Sequence, residues 1–350
     1  MTVLPNELSP DEILSRLSAS GLRGRGGGWF PAARKWHAVR VEGGQPVLVA
    51  NGAEGEPGSL KDRHVLRTRP DDVLAGLDLA ARALGAREAF VYLKGSFAAE
   101  QRSLEAALAR RAPAELLVRV VRGADSYVAG EESAVLEALM GRRPWPREKP
   151  PYPAAVGFEG RPTLVQNVET LARVPAAVAD PAAYRAGETT LVSLWGHVRR
   201  PGVYEVRLGT PVREVVERHG QGPTDGWGLV FPGGPSAPPL PAGALDTPLD
   251  PDALRAAGSG LGSASLLVTG ASLSPLQLGL SAARFFERES CGQCPPCAVG
   301  TARLAGFLAN VVDGRSRPAE LGHLREAADF MRPHGYCAHG RTTRARRSAR

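Results

Sequence analysis

Cysteine is nearly absent from this chain: there are four in 350 residues, and none before residue 291. That excludes a disulfide-stapled secreted scaffold, which distributes its cysteines through a small domain. Long apolar runs are missing too. None approaches the roughly 20 residues of a membrane-spanning helix, and the N-terminus has no signal-peptide core, so a cytoplasmic location is predicted. Lysine is scarce: only residues 35, 61, 94 and 149 among 43 Lys+Arg. The net charge of +7 is therefore carried by arginines, interleaved with Asp and Glu along the chain. No zinc-finger spacing or aromatic-lined basic strand accompanies them, so no nucleic-acid partner is predicted. The one dense cluster, Arg341 to Arg350, reads as a solvated, disordered basic tail, with a polyanion- or partner-binding arm as the alternative.

What is present is a globular chain, 43% hydrophobic and long enough for two or three domains. Ser9-Pro10-Asp11-Glu12 forms a capping box with proline at the first helical position. Ile13, Leu14 and Leu17 follow at helical spacing. The periods then alternate: a strand at 46–50, a helix over 71–85, a strand at 89–93, a helix over 97–111 and a strand at 115–121. A helix-starting loop, Tyr127 to Glu132, leads to a helix over 134–140. Such alternation implies a parallel sheet with ligands at the C-terminal strand ends. Five prolines between 144 and 153 exclude helix or central strand there and predict an ordered wrapping loop.

A second module occupies 188–270, where strands at 191–195 and 203–206, a helix over 212–219 and a strand at 229–231 suggest a small β-grasp-like α+β domain. From 275 the pattern is helical. The predicted class is α/β: a Rossmann-like domain over 1–180, the β-grasp domain over 188–270 and a helical cysteine-bearing domain over 275–350.

The cysteines carry the strongest signal. Cys291, Cys294 and Cys297 sit at two-residue spacing, and Cys337 follows forty residues later. A compact loop can supply three corners of a [4Fe–4S] cubane and a distant residue the fourth. Zinc is the rival, because four thiolates also suit a tetrahedral ion, but zinc ribbons pair two separated C-x-x-C knuckles. A redox dithiol would need only two of these residues.

Glycines at 24, 26, 27 and 28 let backbone amides approach an anion, as a flavin or nucleotide phosphate requires. The usual dinucleotide fingerprint fails, because Trp29 or Pro31 falls where its last glycine belongs. Two acidic loops, one with Glu54 and Glu56 and one with Glu131 and Glu132, stand where strands or turns enter helices. Their carboxylates can accept from ribityl or ribose hydroxyls, or be plain helix starts.

Together these strings resemble one family, the NADH-binding flavoprotein subunit of respiratory complex I, shared with the diaphorase subunits of NAD-linked hydrogenases and formate dehydrogenases. The matching segments include 21–27, Phe30-Pro31, 56–59, 61–63, Gly130-Glu131-Glu132, 167–171, 200–205 and 289–292. The resemblance implies FMN and NADH in the first domain, a soluble-ligand-binding (SLBB-like) β-grasp module and a [4Fe–4S] cluster on Cys291, Cys294, Cys297 and Cys337. Gly24, Arg25, Gly26 and Gly27 would form the flavin-phosphate loop. Asn51, Tyr127, Gly130, Glu131, Asn167 and Thr170 would surround the flavin, with Glu54 and Glu132 on the acidic loops. Phe30, Lys35 and Glu56 would face NADH, and Tyr152 its adenine.

The implied activity is NADH:acceptor oxidoreduction, in which hydride passes to FMN and single electrons leave through the cluster. The implied partner is an electron-accepting subunit such as a [2Fe–2S] ferredoxin-like protein, with peripheral attachment to a membrane complex. Alternatives are an electron-transfer adaptor that does not itself oxidise NADH and a zinc-stabilised binding module. The chain departs from the family at Trp29 (a glycine there), Ala53 (aspartate), Ala38 (an aromatic) and Gln166 (asparagine), and its 100–122 connection is short, which reads as a divergent, shortened member.

Overall fold

The structure is a computed structural model, and it describes residues 8–111, 115–240, 242–316 and 321–339. The arginine cluster from 341 lies outside the described residues.

Helix α1 (Pro10–Ser20) starts on the expected capping box: the Glu12 amide donates to Ser9 Oγ at 3.3 Å and the Ser9 amide to Glu12 Oε2 at 2.8 Å. There follow α2 (Ala32–Glu42), β1 (Val47–Gly52), α3 (Lys61–Thr68), α4 (Pro70–Leu84), β2 (Glu88–Lys94), α5 (Ala98–Arg110) and β3 (Leu117–Gly123). Then come α6 (Glu132–Leu139), β4 (Thr163–Asn167), α7 (Val168–Ala179) and α8 (Pro181–Ala186). The sheet order is β3-β2-β1-β4, all parallel. Helices cover both faces, so each strand divides its side chains between two cores: Leu48 and Ala50 join one, Val47 and Val49 the other.

Helices α2 and α3 are additions to the sequence reading. The first starts on Pro31 without a side-chain cap, and the second buries Lys61 and Asp62 on its inner face, which erases the apolar stripe. Strand β3 sits about two residues later than expected. Helices α4 and α7 cross so closely that a Cβ at Gly76 would stand 2.1 Å from the Leu171 carbonyl oxygen. Pro175, four residues on in α7, has no N–H to offer that carbonyl, which leaves it facing Gly76.

The second module contains β5 (Thr189–Gly196), β6 (Gly202–Arg207), α9 (Val212–Gly220), β7 (Val230–Phe231), α10 (Pro251–Ala256) and β8 (Ser265–Val268). Its order is β6-β5-β8-β7, with β5 antiparallel to β6 and parallel to β8. First and last strands side by side in parallel make this a β-grasp arrangement. Helices α11 (Pro275–Arg288), α12 (Pro295–Val312) and α13 (Leu321–His334) form the cysteine-bearing end. No described helix is long and apolar enough to cross a membrane.

A buried ionic knot joins the first two modules. Lys61 Nζ lies 2.6 Å from Asp62 and 3.2 Å from Glu169, and all three side chains are buried. Glu169 also accepts from Arg173 Nε at 3.0 Å and from the Leu191 amide of β5 at 3.0 Å. Burial alone would lower the lysine, but the carboxylates of Asp62, Glu169 and Glu54 outweigh it and raise it. The cation therefore stays charged. Lys61→Met would leave the buried Asp62 without its cation, while Glu169 keeps Arg173, a loss of about 3–5 kcal/mol. Urea unfolding is expected to show that drop as a lower midpoint.

Candidate functional site

Strand order reverses between β1 and β4, so the switch point lies at their C-terminal ends, where open α/β sheets bind ligands. Asn51 and Asn167 are register partners at that edge. Asn51 Nδ2 donates to the Gly130 carbonyl at 2.8 Å, and its Oδ1 accepts from the Ala53 amide at 3.1 Å, which ties the second acidic loop to the first. Gly130 permits this approach, since a Cβ there would meet the Ala53 carbonyl oxygen at 2.5 Å. Asn167 caps α7 by accepting from Glu169 N and Thr170 N at 3.0 and 3.3 Å, and its Nδ2 donates to Asp62 at 2.7 Å.

The glycine loop lies against this edge. A bridge pairs Arg23 with Pro31, and the Gly24 amide donates to the Phe30 carbonyl at 2.8 Å, closing the loop at its neck. The Arg25 amide donates to Thr170 Oγ1 at 2.8 Å, and a Cβ at Gly26 would sit 3.3 Å from Asn167 Cβ. The amides of Gly26, Gly27 and Gly28 donate to no acceptor among the described residues. Three consecutive unoccupied amides, in a loop where Gly27 takes φ 103°, form a nest suited to phosphate. Nearby, Gln166 Oε1 is buried without a protein partner among the described residues, an acceptor left for a ligand hydroxyl or N–H.

The side chains behave less uniformly than the sequence suggests. Arg25 is fully buried and its guanidinium is bound to Glu188 at 2.6 Å and to the Thr189 carbonyl at 3.1 Å, so only its backbone belongs to the loop. Trp29 does not stand over the cleft either; it packs into the core of the β-grasp module. Glu131 caps α6, accepting from Ser133 N and Ala134 N at 2.9 and 3.1 Å, and pairs with Lys149 at 2.6 Å. Glu132 lies between Lys35 at 2.8 Å and Lys149 at 2.6 Å. Burial would raise the Glu132 carboxyl, but the two ammonium groups bring it down to about 2. Glu54 accepts from Ser59 Oγ and from Asp62 N, so it starts α3. Phe30 and Tyr152 are 50% and 59% exposed, available for stacking at the surface.

Glu56 and Tyr127 make the link to the remaining modules. The Tyr127 hydroxyl donates to Glu56 at 3.2 Å, and Glu56 also accepts from Ser236 N at 3.1 Å and from the Ser236 hydroxyl. Burial raises the Glu56 carboxyl, with Ser236 and Tyr127 opposing. The Tyr127 amide donates to Glu289 at 2.7 Å, and its ring meets Phe285, Phe286 and His339. Neither Ser236 nor Glu289 could be paired with these residues from the sequence, because each bond spans more than a hundred residues.

Glu289 opens the cysteine loop. Cys294 caps α12, with Pro295 in its first turn; Cys294 and Cys297 are buried, Cys291 and Cys337 partly so. Burial pushes the Cys297 thiol up to about 11, with the Ser290 hydroxyl opposing and Cys294, Cys337 and Cys291 all adding to the rise. The other three thiols therefore all act on Cys297. Among the described residues no three His, Cys, Asp or Glu groups are placed to hold a metal ion. A cubane takes each thiolate at a separate iron, so its ligands need not converge on one point, and the donor set fits. His339 bonds through Nε2 to the Phe286 carbonyl at 2.8 Å, in the wall beside Tyr127.

A parallel-sheet switch point with an open amide nest, joined through Tyr127 to a module that carries four thiols, fits an iron–sulfur flavoprotein. The comparisons agree. Residues 17–176 match the Nuo51 FMN-binding domain, 191–240 the SLBB domain and 278–346 the NADH-ubiquinone oxidoreductase-F iron-sulfur binding region. The second of two NADH-quinone oxidoreductase F subunits of Rhizobium meliloti (strain 1021) is 39% identical over 356 residues, covering 95% of this chain and 85% of its own length. The F subunit of Rickettsia bellii (strain OSU 85-389) is 35% identical over 352 residues, covering 94% and 84%. Among solved structures, a NAD+-reducing [NiFe]-hydrogenase in the H2-reduced state superposes with a TM-score of 0.90 at 35% identity, over 97% of this chain. The present chain spans 60% of that hydrogenase chain. The chain belongs to the family of NADH-quinone oxidoreductase F subunits, whose members carry FMN and a [4Fe–4S] cluster and oxidise NADH.

Proposed function

We propose that this chain takes electrons from NADH and hands them singly to a partner subunit, with a [2Fe–2S] ferredoxin-like protein as the partner and a cytoplasmic, membrane-peripheral complex as its setting. The observation that carries this reading is the Glu56–Tyr127–Glu289 chain, which joins the switch point to the cysteine loop within one hydrogen-bonded path. Bound FMN supplies the conversion of a two-electron donor into one-electron output, and the cluster supplies the exit.

The protein's task is placement. Gly26, Gly27 and Gly28 offer amides to the flavin phosphate, while Gln166, Asn51 and Gly130 line the adjoining edge. Lys35, already beside Glu132, and the exposed rings of Phe30 and Tyr152 face the nucleotide. Cys291, Cys294, Cys297 and Cys337 hold the cluster.

Anaerobic mixing with NADH is expected to bleach the flavin band and then the broad cluster absorbance. Reduction by a reduced ferredoxin but by neither NADH nor NADPH would replace this reading with that of an adaptor. Ala38 stands on α2, at a position where the family resemblance implies an aromatic. A lost aromatic contact of about 1–1.5 kcal/mol weakens NADH binding about tenfold, and Ala38→Phe is expected to recover that factor in the dissociation constant.

A further inference from the structure

We propose that the β-grasp module is a clamp on the cofactor loop, with Trp29 as its anchor, and that this clamp slows the release of FMN. This rests on the flavin reading above and adds to it a role for the second module.

Trp29 occupies φ 52°, a left-handed conformation in which a bulky residue is strained, and strain of this kind persists only where surrounding contacts hold it. The contacts are visible. The indole is 3% exposed and belongs to the same core as Val192, Leu194 and Leu266 of the β-grasp sheet. Its Nε1 donates to the Gly262 carbonyl at 2.7 Å. The Arg25 guanidinium stacks over the ring at 4.4 Å while bound to Glu188. Arg23 completes the set: its Nε donates to the Trp29 carbonyl at 2.8 Å, and its Nη1 pairs with Asp252 at 2.7 Å.

Three residues of one short loop therefore cross to the second module, while the amides between them, at Gly26 to Gly28, stay open. The loop is held from outside, and its own internal bonding does not reach the nest. At the same seam a Cβ on Gly27 would stand 3.8 Å from Gly262 and 3.9 Å from Ser263. Ser263 Oγ is buried without a protein partner among the described residues, a further polar group left for a ligand there. In a chain with glycine at position 29 the indole and its bond to Gly262 do not exist.

The test is the rate of FMN release, followed as recovery of flavin fluorescence on dilution of the loaded full-length protein, with iron content and thermal midpoint measured alongside. Trp29→Gly is expected to speed release about tenfold or more, the scale of one buried hydrogen bond with its packing. Trp29→Phe, which keeps a ring and loses the donor, is expected to fall between it and the wild type. Asp252→Ala cuts the exposed outer tie and is expected to speed release about twofold, as an exposed ion pair of a few tenths of a kcal/mol allows. Iron content stays unchanged in all three. If Trp29→Gly does not fold, the other two variants decide. Wild-type release rates in the variants, even with a lowered thermal midpoint, would reduce Trp29 to a stabilising contact and overturn the clamp. A wild-type protein that holds no FMN at all would overturn the flavin reading and the clamp together.

Discussion

Gly26→Val is expected to abolish flavin retention while leaving the iron content untouched. A Cβ at this position reaches 3.3 Å from Asn167 Cβ, a distance a single methyl can tolerate with a small shift. Valine adds two γ-carbons on a stiff χ1, and Asn167 cannot step aside to admit them. Its Oδ1 caps α7 and its Nδ2 is bound to the buried Asp62. The loop must yield, and its amides move off the phosphate. Hydrogen bonds to a charged group contribute about 1.5–3 kcal/mol each, so losing two weakens FMN binding by about a hundredfold or more. Titration of flavin fluorescence against apoprotein measures this directly, with Gly26→Ala as the mild control. Quenching by Gly26→Val as strong as that of the wild type would move the phosphate elsewhere.

The same region shows what sequence reasoning can and cannot reach. Strand β1 was legible because a strand buried on both faces reads as an unbroken apolar run, while glycine spacing alone fits a flexible loop as well as a phosphate cradle. Arg25 was legible only by half. Its amide lies in the loop, but a long side chain can cross to a neighbouring module, and no local pattern reveals that it is bound to Glu188. Glu131 and Glu132 read equally well as ligands or as a helix start, and geometry assigns both carboxylates to caps and lysines. Helix α3 was hidden because its buried side begins with Lys61 and Asp62, and Glu169, the second carboxylate on Lys61, lies far along the chain. The cysteine triplet was the easiest to read, since all of its spacing is local.

Glu56 and Tyr127 illustrate a second limit. The sequence reading sets Glu56 toward the nucleotide, and the structure adds that its carboxylate is already engaged by Ser236 and by the Tyr127 hydroxyl. A nucleotide hydroxyl that approached Glu56 would have to share or displace those donors. Tyr127 itself is partly buried and framed by Phe285, Phe286 and His339, so any movement at Glu56 is felt by the wall of the cysteine module. Three modules meet at this one tyrosine.

Cys337→Ser is expected to cost the cluster at least one iron and to stop electron exit without releasing the flavin. Of the other three thiols, Cys291 and Cys294 lie just ahead of α12 and Cys297 in its first turn, whereas Cys337 arrives from beyond α13 and is the ligand whose position depends on the last helix. A serine hydroxyl keeps the volume, but it is a hard, weakly acidic donor where iron–sulfur corners take soft thiolates. Wild-type protein purified without oxygen is therefore expected to hold about four irons per chain and the variant about three or fewer, the difference a lost cubane corner makes. NADH still bleaches the flavin in the variant, but transfer to a one-electron acceptor falls to background. Iron analysis and electron paramagnetic resonance of the reduced protein measure the first effect, and acceptor reduction the second. An unchanged spectrum with four irons would assign the fourth corner to another group. Stoichiometric zinc with no iron, in the wild type after anaerobic reconstitution, would remove the cluster and with it the route by which electrons leave this chain.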